Sequence, residues 1–393
     1  MTRPLRGALT CCLAGLALLV AACGSASFRV GGARAALPAR LSLATATTTS
    51  GGTWAIAVSG SSAAKHESFW QLLVRVAASR TWRLATPPAV ATNGGLIAAS
   101  TGSTSLTVAF GPSQGLVFTP LASSTNLGGS WSAGVLDASL ATAPGALAAD
   151  PATGHLLALL ANRTVELSTD EGVTWKRLAT LRAVNATGPG RRCRLEGLSA
   201  VAFSSAGDPL LAGTCARAGV VGILTLVGGT WQAAGLALPA AVADQPVTAV
   251  AIAGTAGHVV ALLQAGTGSA STLTAAWPTS RPGVGNGGWR FSAPLPLRGK
   301  RVLSASSGLA GAVGVVMSGR AGFVLSGAGA VWRMLPELPP ATQVLALGPA
   351  STVQAIAPAG AIITVWAGSP AQAQGSWSRV QKVAVPVQYG SSG

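Results

Sequence analysis

An all-β fold of seven four-stranded antiparallel units is predicted by three observations. Seven tryptophans, Trp82, Trp131, Trp175, Trp231, Trp289, Trp332 and Trp377, recur at intervals of 43 to 58 residues. Between them the chain repeats one grammar of short apolar stretches, Gly-rich turns, and a tryptophan leading to Leu or Pro. No heptad or sustained 3.6-residue period competes beyond the N-terminal segment. A recurring period near fifty residues decides architecture ahead of local propensity, because each period is one supersecondary unit.

The chain opens with Arg3 and Arg6, followed by an apolar run from Leu13 to Ala22 broken only by Gly15. This is the basic and then apolar layout of a signal peptide, too short to cross a bilayer comfortably. The run ends in Val20-Ala21-Ala22-Cys23-Gly24-Ser25, which resembles a bacterial lipobox. The resemblance implies removal of residues 1–22 and acylation of Cys23 on the outer face of the cell membrane. More than one acyl chain on a single residue gives a stable anchor. An ordinary secretory signal cut near Ala22 is the alternative. Residues 23–40 read as a Ser/Ala/Gly-rich tether, 41–388 as the folded body and 389–393 as a tail.

Within the body, Leu198 to Ser205, Pro209 to Cys215, Val220 to Leu226 and Thr230 to Leu236 read as four strands separated by turns. The next period repeats the pattern with Val247 to Ala253, His258 to Gln264, Ser271 to Trp277 and Trp289 to Ala293. Local wording recurs as well, since Gly154-His155-Leu156-Leu157-Ala158-Leu159-Leu160 parallels Gly257-His258-Val259-Val260-Ala261-Leu262-Leu263. Four-stranded units of this length, repeated several times, are the sequence signature of a β-propeller. The first unit is expected to comprise Leu41 to Thr45, Trp54 to Ser59, Phe69 to Ala77 and Thr81 to Leu84. Val383 to Gln388 is the alternative closing strand, which leaves six or eight units open beside seven.

Ser168-Thr169-Asp170-Glu171-Gly172-Val173-Thr174-Trp175 fits the pattern S-x-D-x-G-x-T-W at every defined position. In that stretch Asp170 is suited to accept backbone N–H groups in a tight turn, Gly172 to take a positive φ and Trp175 to plug the sheet. Ser124 to Trp131 keeps the spacing with Asn126 for Asp and Ser130 for Thr, and Gly228-Gly229-Thr230-Trp231 keeps the second half. The chain thereby resembles the Asp-box, or bacterial neuraminidase repeat, family. That resemblance implies a structural role for Ser168, Asp170, Gly172, Thr174 and Trp175, on a peripheral turn between third and fourth strands. Sialidases share the fold, yet the chain has no Arg-Ile-Pro, and its one tyrosine is Tyr389. A sialidase is therefore not expected. The resemblance extends to photosystem II stability and assembly factor-like lipoproteins, and implies a lipid-attached, non-catalytic scaffold holding a membrane-protein partner through an arginine-bearing face.

Charge narrows the partners. The chain has 26 Lys plus Arg against 10 Asp plus Glu, with charged residues only 9% of the total. Such a balance favours anionic neighbours such as phospholipid headgroups, wall polymers or acidic glycans, beside the envelope or membrane protein that the resemblance implies. Nucleic acid is not expected in an exported compartment. The three histidines, His66, His155 and His258, form no metal-ligand spacing, and no cofactor motif occurs. Glu196 and Asp244 precede first strands on one face, which keeps a surface glycan-binding or exo-glycosidase-like protein as the alternative function.

Six cations, Lys176, Arg177, Arg182, Arg191, Arg192 and Arg194, fall between the fourth strand of one unit and the first of the next, and an extended loop is expected there. Cys11 and Cys12 are expected to leave with the signal and Cys23 is the candidate lipidation site, so Cys193 and Cys215 are the only pair in the folded part. The register of the unit brings Cys193, in the loop, beside Cys215, at a strand end on the same face, and a disulfide is expected in an oxidising compartment. Arg182, Arg191, Arg192 and Arg194, with Arg217 on the turn Ala216 to Gly219, form the candidate binding site of a monomeric propeller. A merely solvated insertion is the bland alternative.

Overall fold

Short Leu, Ile, Val and Ala runs bounded by glycine turns form strands because the pleated backbone lets both faces of each run be covered by neighbours. The computed structural model describes residues 43–47, 52–60, 68–88, 92, 95–110, 121–132, 140, 144–234, 238–255, 258–279, 288–325, 331–348, 352–368 and 376–386. The expected signal, Cys23, tether and tail lie outside them.

The described strands fall into seven successive antiparallel meanders, units I to VII. Unit I holds β1 (Leu43–Thr47), β2 (Thr53–Gly60), β3 (Ser68–Arg75) and β4 (Arg83–Leu84), and unit II holds β5 (Leu96–Ser100), β6 (Leu106–Phe110) and β7 (Leu121–Ser124). Unit III contains β8 (Ala146–Ala149), β9 (Leu156–Leu159), β10 (Thr164–Ser168) and β11 (Lys176–Thr180). Two short helices, α1 (Leu181–Asn185) and α2 (Gly188–Cys193), lead into unit IV. That unit is β12 (Leu195–Phe203), β13 (Pro209–Cys215), β14 (Gly222–Val227) and β15 (Thr230–Ala233). Unit V follows with β16 (Val247–Thr255), β17 (His258–Ala265), β18 (Thr272–Pro278), β19 (Trp289–Phe291) and β20 (Leu295–Pro296). Unit VI is β21 (Val302–Ser307), β22 (Val313–Met317), β23 (Ala321–Leu325) and β24 (Arg333–Met334), and unit VII is β25 (Val344–Leu347), β26 (Val353–Ala359), β27 (Ile362–Gly368) and β28 (Ser378–Ala384).

Two expectations are corrected by this arrangement. Unit II shows three strands among the described residues, followed by Ser132, whose N–H donates to Ser123 O, and residues 133–139 lie outside the described ones. Val383 and Ala384 end the fourth strand of unit VII itself and do not close unit I. The sheets are also not all separate: β1 pairs in parallel with β21, matching Leu43 with Ala305 and Thr45 with Ser306, and β13 meets β16 at Thr214 and Thr248. Close approach of first strands is allowed by their small residues, of which Ser304, Ala305, Ser306 and Ser307 are buried.

Each sheet buries both faces by sharing them. The described core divides into seven apolar clusters, each built from two units, six of them from units consecutive in order. Leu157, Leu159 and Val165 of unit III pack with Leu211 and Leu224 of unit IV, for example. The seventh cluster joins the ends of the body, setting Ala55, Leu73 and Trp82 of unit I against Ile356, Ile363 and Val365 of unit VII. At roughly 25 cal/mol per Å² of apolar surface, such shared burial is the main stabilising term.

The recurring tryptophans fasten units to one another. Trp131 Nε1 donates to Ala85 O at 3.1 Å, and Trp289 Nε1 to Ala234 O at 2.8 Å. Both acceptors directly follow the fourth strand of the preceding unit, so the same bond recurs at these two junctions. Between units I and VII, glutamines act in addition. Gln343 accepts from Val58 N and donates to Val58 O, while Gln381 accepts from Trp82 N and donates to Trp82 O, both at 2.7 Å. Gln354 Oε1 accepts from Trp82 Nε1 at 2.9 Å and from Arg75 Nη1 at 3.0 Å. The Arg75 guanidinium lies over the Trp82 ring, 5.3 Å from its centroid, and its burial lowers its pKa.

The meander gives each unit two ends. Connections between units and turns between second and third strands share one, here the linker end; turns between first and second and between third and fourth strands share the other, the box end. Bonds between neighbours join like ends, as Gly219 N to Gln245 O at 3.2 Å and Gly266 N to Pro246 O at 3.1 Å do at the linker end. Trp277 Nε1 to Gly311 O at 2.9 Å does so at the box end.

Gln381→Leu removes the partners of both backbone polar groups of the buried Trp82, its N–H and its C=O. The expected loss is about 2–4 kcal/mol, one to two unsatisfied buried groups, read as a fall in the urea midpoint at unchanged slope. A midpoint equal to wild type would show that the amide seam contributes nothing to closure.

Candidate functional site

The complete eight-residue motif lies at the box end, between β10 and β11. Ser168 Oγ accepts from Gly172 N at 2.8 Å and donates to Asp170 Oδ1 at 2.8 Å. Asp170 then accepts from Thr174 N at 2.8 Å and Thr174 Oγ1 at 2.6 Å. Glu171 and Gly172 take positive φ values of 58° and 94°, and the buried Trp175 returns a bond from Nε1 to Gly172 O at 3.0 Å. These bonds to the ionised form, chiefly from the Thr174 side chain and then its backbone N–H, lower the Asp170 pKa from 3.8 to about 2.

Unit II repeats the geometry with an amide. Gly128 N donates to Ser124 Oγ at 2.7 Å and Ser130 N to Asn126 Oδ1 at 2.8 Å, while Asn126 Nδ2 donates to Ser130 Oγ at 2.9 Å. Only the last bond reverses direction relative to its Asp170 counterpart. All these groups bind within the turn, so the motif is a structural pin.

The candidate binding residues lie at the opposite, linker end. The expected extended loop is instead α1 and α2, capped by Thr180 Oγ1 accepting from Ala183 N at 3.1 Å and Thr187 Oγ1 accepting from Gly190 N at 3.2 Å. Side-chain capping lets such short helices form where propensity alone would not. Lys176 and Arg177 are not with the others: they begin β11, where Arg177 faces the buried Glu166 at 3.9 Å. Arg182 sits on α1, Arg191 and Arg192 on α2, and Arg194 ends α2 in the left-handed region with φ 53°.

This segment is pinned from several sides. Cys193 is disulfide-bonded to Cys215, 22 residues on, a closure worth about 3 kcal/mol in the chain-entropy model. Asn185 clamps the backbone of Leu195, donating to its O at 2.6 Å and accepting from its N at 3.0 Å. Val184 is fully buried beneath α1, and Gly190 lets the helices touch, since a Cβ there would lie 2.1 Å from Val184 O. The turn bearing Arg217 is bound to the same segment, Ala216 N donating to Arg194 O at 3.1 Å and Arg217 N to Cys193 O at 3.4 Å.

Arg182, Arg191, Arg192, Arg194 and Arg217 are therefore brought to one end on a fixed backbone, and all are exposed. Arg191 Nη1 bonds Ala186 O. Among the described residues none of the five pairs with a carboxylate. Sequence reasoning missed Arg163, also exposed at the linker end of unit III, whose Nη1 donates to Glu196 O at 3.2 Å. Its signal was the turn position between β9 and β10. Glu196 and Asp244 are exposed at this end. Among the described residues, no group of His, Cys, Asp and Glu is arranged to hold a metal ion.

Antiparallel meanders sharing apolar faces with their neighbours define a propeller-like all-β protein. No known protein-family model matches the chain, and no curated protein matches it in sequence. Solved structures do resemble it in fold. YCF48 from Cyanidioschyzon merolae is 15% identical over 84% of this chain and 95% of its own, with a TM-score of 0.50. The GH74 xyloglucanase from Xanthomonas campestris is 14% identical over 84% of this chain, with a TM-score of 0.51. The alignment spans about half of the xyloglucanase, 52% of its length.

Two outcomes follow from the geometry. Because the folded-state Asp170 pKa lies below 3.8, its stabilisation is complete above that pH and is lost as the pH falls through about 2. Asp170→Asn, with the bonding seen at Asn126, should fold at neutral pH and lose this part of the acid sensitivity. Acid titrations of the two proteins that superimpose would contradict the assignment. Gly190→Ala should destabilise by about 1–3 kcal/mol through forced separation of α1 and α2, measured by urea unfolding.

Proposed function

We propose that the chain is a lipid-anchored, extracytoplasmic, seven-bladed β-propeller acting as a non-catalytic binding and assembly scaffold for an envelope or membrane partner. The observation that carries this reading is the set of five exposed arginines, without carboxylate partners among the described residues, on a backbone fixed by a disulfide, an asparagine clamp and a helix contact. Guanidinium groups that meet no described carboxylate are available for bidentate bonds to carboxylates or phosphates. The seven clusters each shared by two units, the last joining unit VII to unit I, support seven blades in a closed ring. The Ala22-Cys23 junction supports the anchor.

A second reading, binding or cleavage of a surface glycan, is favoured by the placement of Glu196 and Asp244 at the same end. A glycosidase of either stereochemistry needs two carboxylates flanking one bond.

Crosslinking in native membranes, followed by mass spectrometry, tests the scaffold. Cys23→Ala should move the protein from membrane to soluble fractions. Arg191→Ser/Arg192→Ser/Arg194→Asn should lose the principal crosslinked partner while unfolding as wild type, Asn being chosen because it tolerates the left-handed φ at that position. An unchanged partner set would remove the proposed site. Sugar release from envelope glycans that disappears in Glu196→Gln would establish the second reading instead.

A further inference from the structure

A second basic element lies at the linker end, in the connection from unit V to unit VI. Arg298 and Gly299 take φ values of 50° and 77° and form a two-residue turn closed by Lys300 N to Leu297 O at 2.9 Å. The turn is pinned to the next one by a reciprocal pair, Arg301 N to Ser318 Oγ at 3.0 Å and Ser318 N to Arg301 O at 2.9 Å. Arg298, Lys300 and Arg301 are exposed, and none pairs with a described carboxylate. The nearby Arg320 differs, because Glu337 neutralises it at 2.8 Å and its Nε is held by Leu338 O. The turn thus presents three like charges to solvent within four residues, and an anion meeting them gains from all three.

We infer that this turn and the arginine cluster of α1, α2 and Arg217 bind one flexible linear polyanion, its charges phosphates or carboxylates, that bridges the linker end of unit V. The inference rests on the proposed reading of the arginine cluster and adds a second contact to it. Unit V lies between the two, and its own linker-end turn, Gly266 to Ser271, carries no charge. Asp244, exposed in the connection into unit V, stands between the clusters. The two clusters are separated by an uncharged turn and an acidic residue, so an extended ligand must carry charges spaced along its length to engage both. Bridging converts the second contact into an intramolecular event, so avidity depends on polymer length.

The test uses the full chain carrying Cys23→Ala, so that acylation does not contribute, with four probes: tripolyphosphate, long-chain polyphosphate, polygalacturonate and phosphatidylglycerol vesicles. A long polymer of at least one chemistry should bind at least about tenfold more tightly than tripolyphosphate. The two polymers distinguish phosphate from carboxylate sources. Arg298→Asn/Lys300→Ser/Arg301→Ser and Arg191→Ser/Arg192→Ser/Arg194→Asn should each abolish that advantage while retaining tripolyphosphate binding at the intact cluster. Thermal unfolding at the wild-type midpoint verifies that both variants fold. Unchanged long-polymer binding in the first variant overturns the bridge and leaves the arginine cluster standing. Loss only in the first variant overturns both the bridge and the reading of the arginine cluster. Vesicle binding sensitive to both variants, without any effect of polymer length, overturns the polymer in favour of a membrane surface.

Discussion

Face-to-face contact between neighbouring sheets is the constraint on which everything else depends. A twisted four-stranded sheet with apolar residues on both faces has no stable existence alone, and here every described apolar cluster is contributed by two units. Stability is consequently collective. It also explains why so few charges suffice, because strands buried on both sides need none, and Ser, Thr and Gly in the turns meet water. Near the first strands the same constraint selects small residues, which permits the parallel contact of β1 with β21.

The architecture was legible because its signals are local and repeated. Trp231 and Trp289 each close a unit whose strands were readable from alternating apolar runs and turn glycines, and Pro209–Cys215 coincides with its expected limits. The Cys193–Cys215 proximity was likewise readable, since register alone brings a unit's first connection beside the end of its second strand. What escaped has a different physical character. Helices of five and six residues leave no periodic trace, and their only signals were Thr180, Thr187 and Gly190 at capping and contact positions. The glutamine seam was invisible because its partners are 285 and 299 residues apart, and nothing in a lone polar residue announces so distant a carbonyl. The basic turn at Arg298 to Arg301 was overlooked for its brevity.

Division of labour between the two ends follows from the topology. Two turns at the box end have their side chains consumed by their own backbones, at Asp170 and Asn126. The connection from unit III to unit IV at the linker end instead carries Arg182, Arg191, Arg192 and Arg194, and the disulfide and caps hold it rigid.

The two ladders on β1 have a mechanical meaning. This strand is bonded along one edge to β2 and along the other to β21. Tension applied along its axis from the N-terminal side therefore loads both short ladders in shear at once, whereas peeling would break their bonds one at a time. The first strand of the body is thereby built as a strain relief. A load arriving through the preceding segment is spread over units I and VI before it can part any sheet from its neighbour.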